Sequence, residues 1–301
     1  MDKQYYRIGF IGVGVLGKGL ALALAAHNYS VVAAYSRSMS SSHWLAKRLK
    51  GSQVYATAQE LAAVSDIVFI TTPDSVIGDV AASVTWREGQ GVVHCSGSSS
   101  IEILECARAQ GALTGAFHPF QTFAGLVSPE DTRARLAGVT FAVSGADWLS
   151  QFLRDLAYDL GGLPVDIPDH FRANYHASAV LSCGYLAALL QVAVDSWRAM
   201  GFSDTEALGA LLPLATATLE NIRSLGIPAS VTGPVVRGDA GTVSAHLEAL
   251  SRTAPDAIPV YSALTLTSLA IAAQCGVEAS QLEQIRKLIV DYHRRWTPCP
   301  E

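Results

Sequence analysis

Apolar residues in the first half of the chain come in short bursts, and between the bursts they recur every three or four positions. The bursts Arg7–Ile11, Val31–Tyr35, Asp66–Thr71, Gly91–Cys95, Thr114–Phe117, Val139–Val143 and Leu163–Val165 predict strands. The spacing predicts helices over Gly14–His27, Ser42–Lys50, Ala58–Val64, Ser75–Val84, Ser100–Gln110 and Asp147–Leu160. Such alternation is the pattern of a parallel sheet with crossover helices. The second half reads as helix alone, over Arg172–Met200, Asp204–Leu225, Gly241–Arg252, Ala257–Cys275 and Ser280–Trp296. In the last of these, Leu282, Ile285, Leu288, Ile289, Tyr292 and Trp296 share one side. The polar, proline-broken run Asp166-Ile167-Pro168-Asp169 marks a boundary. The predicted fold is therefore α/β: an α/β domain over residues 1–166 and an all-helical domain over 167–301.

Ala173–Val194 and Ile258–Val277 contain no Asp, Glu, Lys or Arg and are long enough to cross a bilayer. Both hold several Ser, Thr, Asn or Gln, and neither has a marked Lys/Arg asymmetry at its flanks. Helices apolar nearly all round are then expected at the centre of the domain or against a second subunit, and a homodimer without membrane contact is the expectation. A formal net charge of −5 and the lack of any basic run argue against a nucleic-acid or anionic-membrane partner. Met1-Asp2-Lys3-Gln4 leads straight into the first strand with no charged-then-apolar leader, so the expected location is cytoplasmic. Cys95, Cys106, Cys183, Cys275 and Cys299 are scattered without metal-type spacing and read as reduced, mostly buried thiols.

The first strand runs into Gly12-Val13-Gly14-Val15-Leu16-Gly17, which opens a helix and is followed by a second strand ending at Tyr35-Ser36-Arg37-Ser38. This is the layout of a dinucleotide site. Gly12 and Gly14 permit a tight turn close to a pyrophosphate, Gly17 permits close helix packing, and the orphan N–H groups from Val15 and Leu16 onward face the phosphates. NAD-selective sites carry an acid about 20 residues after the glycines. Here Ser36, Arg37 and Ser38 offer hydroxyls and a guanidinium, which predicts NADP. The rival reading of Arg37 is a solvated loop arginine.

Ligands of open parallel sheets lie beyond the carboxyl ends of the strands. Thr72 and Pro73 follow one strand and are expected to pass the cofactor backbone, with Asp74 as a helix cap. His94-Cys95-Ser96-Gly97-Ser98-Ser99-Ser100 follows another, with Ser99 and Ser100 read as a capping turn. His118-Pro119-Phe120-Gln121-Thr122-Phe123 follows a third and supplies a titratable ring for the proton that accompanies hydride transfer, unless the ring only locks the turn.

These motifs, with Tyr175-His176-Ala177-Ser178-Ala179 and Thr232-Gly233-Pro234-Val235-Val236-Arg237-Gly238-Asp239, resemble the bacterial Rossmann-like proteins that carry a C-terminal domain of unknown function. That group is similar to pyrroline-5-carboxylate reductase, ketopantoate reductase, prephenate dehydrogenase and the β-hydroxyacid dehydrogenases. The resemblance implies an N-terminal Rossmann NAD(P)-binding domain and a C-terminal all-α dimerisation and substrate domain of the 6-phosphogluconate dehydrogenase C-terminal type. Prephenate dehydrogenases also pair a His-Pro with a nearby serine, which implies His118 acting with Ser96 or Ser98. The lysine used by β-hydroxyacid dehydrogenases has no counterpart between Arg172 and Met200, where Asn174 and His176 stand instead. His176 is a substitute acid or a core histidine.

In the second domain Asn221, Arg237 and Asp239 are the candidate substrate residues. Arg237 suits a carboxylate clamp, and Asp239 either orients it or caps the next helix. Together these readings predict an NADP-dependent oxidoreductase reducing a C=O or C=N bond of a small carboxylated metabolite, with no metal. The alternatives are a hydroxy-acid dehydrogenase and a non-catalytic NADP-binding sensor or scaffold.

Overall fold

The computed structural model describes residues 5–125 and 129–296. Met1–Gln4 and Cys299 lie outside the described residues, as does the side chain of Trp296. Two compact units divide between Cys183 and Gly184.

The first unit is built on an eight-stranded sheet of order β3-β2-β1-β4-β5-β6-β7-β8. The strands are β1 Arg7–Ile11, β2 Ser30–Tyr35, β3 Gln53–Val54, β4 Ile67–Ile70, β5 Gly91–His94, β6 Leu113–Pro119, β7 Thr140–Gly145 and β8 Leu163–Val165. The helices are α1 Val15–Ala26, α2 Met39–Ala46, α3 Ala58–Val64, α4 Ile77–Ala82, α5 Glu105–Arg108, α6 Pro129–Leu136, α7 Asp147–Asp159 and α8 Arg172–Ser182. Seven strands match the apolar bursts; the two-residue β3 is too short to leave a periodic trace. The chain reverses direction across the sheet between β1 and β4, so their carboxyl ends flank the crevice where ligands of such sheets bind.

The sheet is not wholly parallel, as the alternating pattern had suggested. β7 runs antiparallel to β6, because the connection carrying α6 returns the chain at the same end instead of crossing over. α6 itself escapes the periodicity reading; its segment PEDTRARL is mostly polar, and Leu136 is its fully buried anchor. Both faces of the sheet are covered, and Phe10, Phe69, Phe117 and Phe141 form an aromatic row across one of them, with centroid spacings of 5.3, 6.1 and 4.8 Å.

The sheet ends at Val165, close to the boundary at 166, but the compact unit continues to Cys183. α8 stays with the sheet because its first residue, Arg172, is fully buried and bonds to Ser144 of β7. The single helix expected over Arg172–Met200 is interrupted at Cys183, which leaves helical geometry at φ −121° and ψ −81°.

The second unit contains α9 Gly184–Ala199, α10 Asp204–Leu225, α11 Ile227–Ser230, α12 Ala240–Thr253, α13 Ile258–Gln274 and α14 Ala279–Trp296. Its core gathers Val243, Leu247, Ile258, Leu269, Ile285 and Ile289, and Leu282, Leu288 and Tyr292 of α14 pack against it, as that helix's amphipathic stripe requires. α9 and α10 contribute one buried residue each, Val194 and Ala207, and leave Tyr185, Leu189, Leu208, Leu212, Leu214 and Leu219 exposed. Two segments, Asp169–Ala199 and Pro255–Gln274, are long and apolar enough to cross a membrane. Of the described cysteines only Cys95 is buried; Cys106 is half-buried and Cys183 and Cys275 are exposed, so the expectation of mostly buried thiols fails.

Candidate active site

The glycine turn is fixed by the protein's own packing at two of its three glycines. Gly12 sits at φ +95°, and a Cβ there would stand 2.7 Å from the Thr72 backbone nitrogen. A Cβ on Gly17 would run into the Gly12 carbonyl and the Thr71 hydroxyl, which itself donates to that carbonyl. Gly14 is different: nothing lies within 4 Å of where its Cβ would be. Its bareness answers no internal constraint and faces open space at the tip of α1.

That helix tip has no side-chain cap, so the N–H groups of Val15 and Leu16 onward are available to an anion. Gly12 N–H donates 2.8 Å to the Tyr35 carbonyl and ties the turn to the end of β2. There Ser36 is half-buried, while Arg37 and Ser38 are exposed, Ser38 bonding Ser40 across 2.9 Å. From Lys3 to Gln59 the sequence has no Asp or Glu, whereas Lys18, Arg37, Lys47, Arg48 and Lys50 all fall in it. Across the crevice the Thr72 hydroxyl is buried without a partner, and Pro73 begins the next turn. These residues suit a phosphorylated dinucleotide: bare backbone for the pyrophosphate and a guanidinium without an acidic neighbour in sequence.

The second cluster joins the ends of β4, β5 and β6 with α8. Asp74 does not cap the following turn. Its Oδ2 accepts from Ser96 Oγ at 2.7 Å and Ser98 Oγ at 3.1 Å. Ser96 Oγ in turn accepts from the Ser98 and Ser99 backbone N–H groups at 3.3 and 3.0 Å, which folds the serine turn around it. Ser100 does cap, accepting from Glu102 N–H at 3.2 Å, and also donates to Asp169 at 2.8 Å.

His118 and the serines are not hydrogen-bonded to each other among the described residues. His118 Nδ1 instead lies 2.8 Å from the Tyr175 hydroxyl. Its Nε2 faces Gly97, where a Cβ would come within 2.8 Å of both that nitrogen and His176 Cδ2. Gly97 thus keeps a gap open between two imidazoles whose centroids are 6.1 Å apart. The loop carrying His118 is pinned by Phe123, buried against Gly19 of α1, and by Phe120, packed 5.0 Å from the Tyr175 ring.

Electrostatics keep both members of the His118–Tyr175 pair neutral. Burial pushes His118 down to about 4, with His176 and Arg172 adding to the effect and Asp74 opposing it. Burial raises Tyr175 to about 12, against the pull of Arg172 and the Ala142 backbone. His94, fully buried beneath the cluster, is also lowered to about 4, by burial first and Arg172 second. Its Nδ1 accepts from Ser96 N–H at 3.2 Å.

In the sequence Tyr175 stands out only within a motif, and Arg172 and Asp169 carry no sign of a role. The available signal was spacing: Arg172, Tyr175 and His176 stand at i, i+3 and i+4 and share one helix face. Asn174 is exposed. Asn221, Arg237 and Asp239 lie in the second unit; Asn221 and Arg237 are exposed. Asp239 caps α12, accepting from Thr242 N–H at 2.9 Å and its hydroxyl at 2.6 Å, and these bonds lower its carboxyl below the usual range. Its side chain is committed to the helix end. Among the described residues no three His, Cys, Asp or Glu gather as metal ligands.

Residues 1–119 match the family described as Rossmann-like domain, and residues 139–268 match the domain of unknown function DUF2520. The chain is a Rossmann-like protein with a C-terminal DUF2520 domain. Solved structures similar to this Rossmann-like protein include a Bacteroides fragilis protein named as a candidate NADP oxidoreductase, at 22% identity and TM-score 0.74, covering 88% of this chain and 98% of its own. A pyrroline-5-carboxylate reductase from Streptococcus pyogenes aligns at 16% identity and TM-score 0.60, covering 94% and 98%. A reductive aminase from Aspergillus terreus, solved with NADPH and ethyl-5-oxohexanoate, aligns at 19% identity and TM-score 0.61, covering 97% and 94%. These likenesses establish the shared fold of the Rossmann-like protein. No curated protein sequence matches it.

Proposed function

We propose that this chain is an NADP-dependent oxidoreductase that reduces a C=O or C=N bond in a small carboxylated metabolite. The observation that carries the reading is Gly14. It is bare where no protein atom requires it, at an uncapped helix tip one strand away from Arg37. The NADPH bound by the fungal reductive aminase supports the same choice of cofactor.

Gly14, Val15 and Leu16 would hold the pyrophosphate by backbone N–H groups on the turn that Gly12 and Gly17 shape, Ser36, Arg37 and Ser38 the ribose phosphate, and Thr72 and Pro73 the far side. Bound NADPH supplies a hydride; the protein orients it and handles one proton. With the phenol donating to Nδ1, His118 carries its proton on Nε2, facing the Gly97 gap. Nε2 gives that proton to the substrate atom being reduced while Nδ1 takes the Tyr175 proton, and the phenolate charge develops near Arg172. His176, across the gap, is the second ring available to a substrate oxygen or nitrogen. Ser96 and Ser98, held on Asp74, position the loop that carries Gly97. Arg237 remains the proposed carboxylate clamp, with Asn221 a second proposed substrate residue.

The apolar surface of α9 and α10 supports a homodimer, in which a second copy of the chain would cover it, and a cytoplasmic location goes with that reading. Light scattering in detergent-free buffer tests it, and a detergent requirement would point to a membrane instead. The function is tested by titrating NADP+, NADPH and NAD+ calorimetrically and following NADPH oxidation against a panel of 2-oxo acids and cyclic imines. Tight binding with no turnover on any of them would favour the sensor; no binding of either dinucleotide would end the proposal.

A further inference from the structure

Arg172 is a fully buried guanidinium at the first position of α8. Nε bonds Asp169 Oδ1 at 3.0 Å, Nη2 bonds Ser144 Oγ at 2.7 Å, and Nη1 is buried with no partner. Asp169 Oδ2 accepts from Ser100 at 2.8 Å. One charged side chain therefore links α8 to β7 and, through Asp169, to the turn that follows the Ser96 loop. Burying a charge with both N–H groups of Nη1 unsatisfied is costly, and a well-packed apolar residue would fill the place at less cost. Fold stability alone does not explain it.

What the clamp fixes is the next turn. Tyr175 and His176 follow at i+3 and i+4, and both rings must meet His118 and the Gly97 gap within a few tenths of an ångström for the 2.8 Å bond to form. We infer that Arg172 is the positioning residue of the His118–Tyr175 pair: its fork sets the place of α8 on the sheet and so the place of the Tyr175 ring against His118 Nδ1. Its charge adds to burial in disfavouring protonation of His94 and, more weakly, of His118. The purpose of this positioning rests on the proton-handling role proposed above; its measurement does not.

The groups facing these rings come from every packed element. Asp74 lies in the turn after β4, His94 at the end of β5, Arg172, Tyr175 and His176 on α8, and Asp169 on the turn before α8. Removing the cation leaves Asp74 and Asp169, which favour protonated rings. The effect is expected to be larger at His94, where Arg172 is the second cause of the shift, than at His118, where it is the smallest.

The test is ring titration by NMR in the full chain without ligand, comparing wild type, Arg172→Met and Arg172→Lys. His94→Asn and His118→Asn variants assign the resonances, and exposed His43 serves as internal reference. Arg172→Met should raise the His94 midpoint by about one pH unit or more and His118 by less, and should blur the single tautomer of His118. Arg172→Lys should keep both midpoints low and still loosen the tautomer, because charge survives and the fork does not. If Arg172→Met does not fold, Ser144→Ala, which removes one arm of the fork, should loosen the His118 tautomer. Unmoved midpoints and an unchanged tautomer in Arg172→Met, or an unchanged tautomer in Ser144→Ala, would overturn the inference. Loss of cofactor binding in wild type would overturn the proposed function and leave these titrations standing.

Discussion

The Tyr175 hydroxyl lies 2.8 Å from His118 Nδ1, joining a helix to a strand end across 57 residues of sequence. The contact turns a lone imidazole at the end of β6 into one member of a hydrogen-bonded pair. It also leaves the opposite nitrogen facing a gap that Gly97 keeps clear.

Removing either member should slow chemistry without loosening the cofactor. His118→Asn and Tyr175→Phe are each expected to lower turnover by about 10²–10⁴-fold. Calorimetric NADPH affinity should stay within about twofold if the pair contacts only the reacting atom. Turnover undiminished in both variants would remove the pair from the mechanism.

The glycines should separate folding from binding. Gly12→Ala forces a Cβ onto the Thr72 backbone at a positive φ and is expected to cost about 1–3 kcal/mol or more in thermal unfolding. Gly14→Ala has room, so its melting temperature should hold while dinucleotide affinity falls. A Gly14→Ala variant that binds NADPH normally would move the pyrophosphate elsewhere.

Arg37→Asp should invert cofactor preference. Losing a charge-assisted bond to the ribose phosphate costs about 1.5–3 kcal/mol, or roughly 10–150-fold in NADP+ affinity, with NAD+ affinity little changed. Unchanged NADP+ preference would return Arg37 to the status of a solvated loop residue.

Acid should destabilise the first unit earlier than its carboxylates alone would. His94 and His118 titrate near 4 when folded and near 6.5 when unfolded, so the unfolded chain binds more protons between those values. Their contribution to stability is complete above about pH 6.5 and declines as pH falls toward 4, by up to about 3 kcal/mol for each ring. Urea unfolding at intervals across this window should show the slope. His118→Asn should reduce it.

Much of this protein was legible in one dimension. Strand and helix positions followed from apolar periodicity because a buried parallel strand and an amphipathic helix each impose their own spacing on the chain. The Gly12–Gly17 turn was readable because its requirement is local: backbone shape within six residues, between a strand and a helix. Side-chain alliances were not readable, since they depend on which ends of which elements the fold brings together. Asp74 looked like a cap and holds Ser96 and Ser98; His118 was expected to join a serine and joins Tyr175. Arg172 carried no mark of importance until β7 and Asp169 closed around it. The sequence by itself determined the elements and the phosphate-binding turn, which are set by neighbours along the chain. Only the tertiary structure decided the partners of the ionisable groups, because burial and hydrogen bonding across a sheet end have no sequence period.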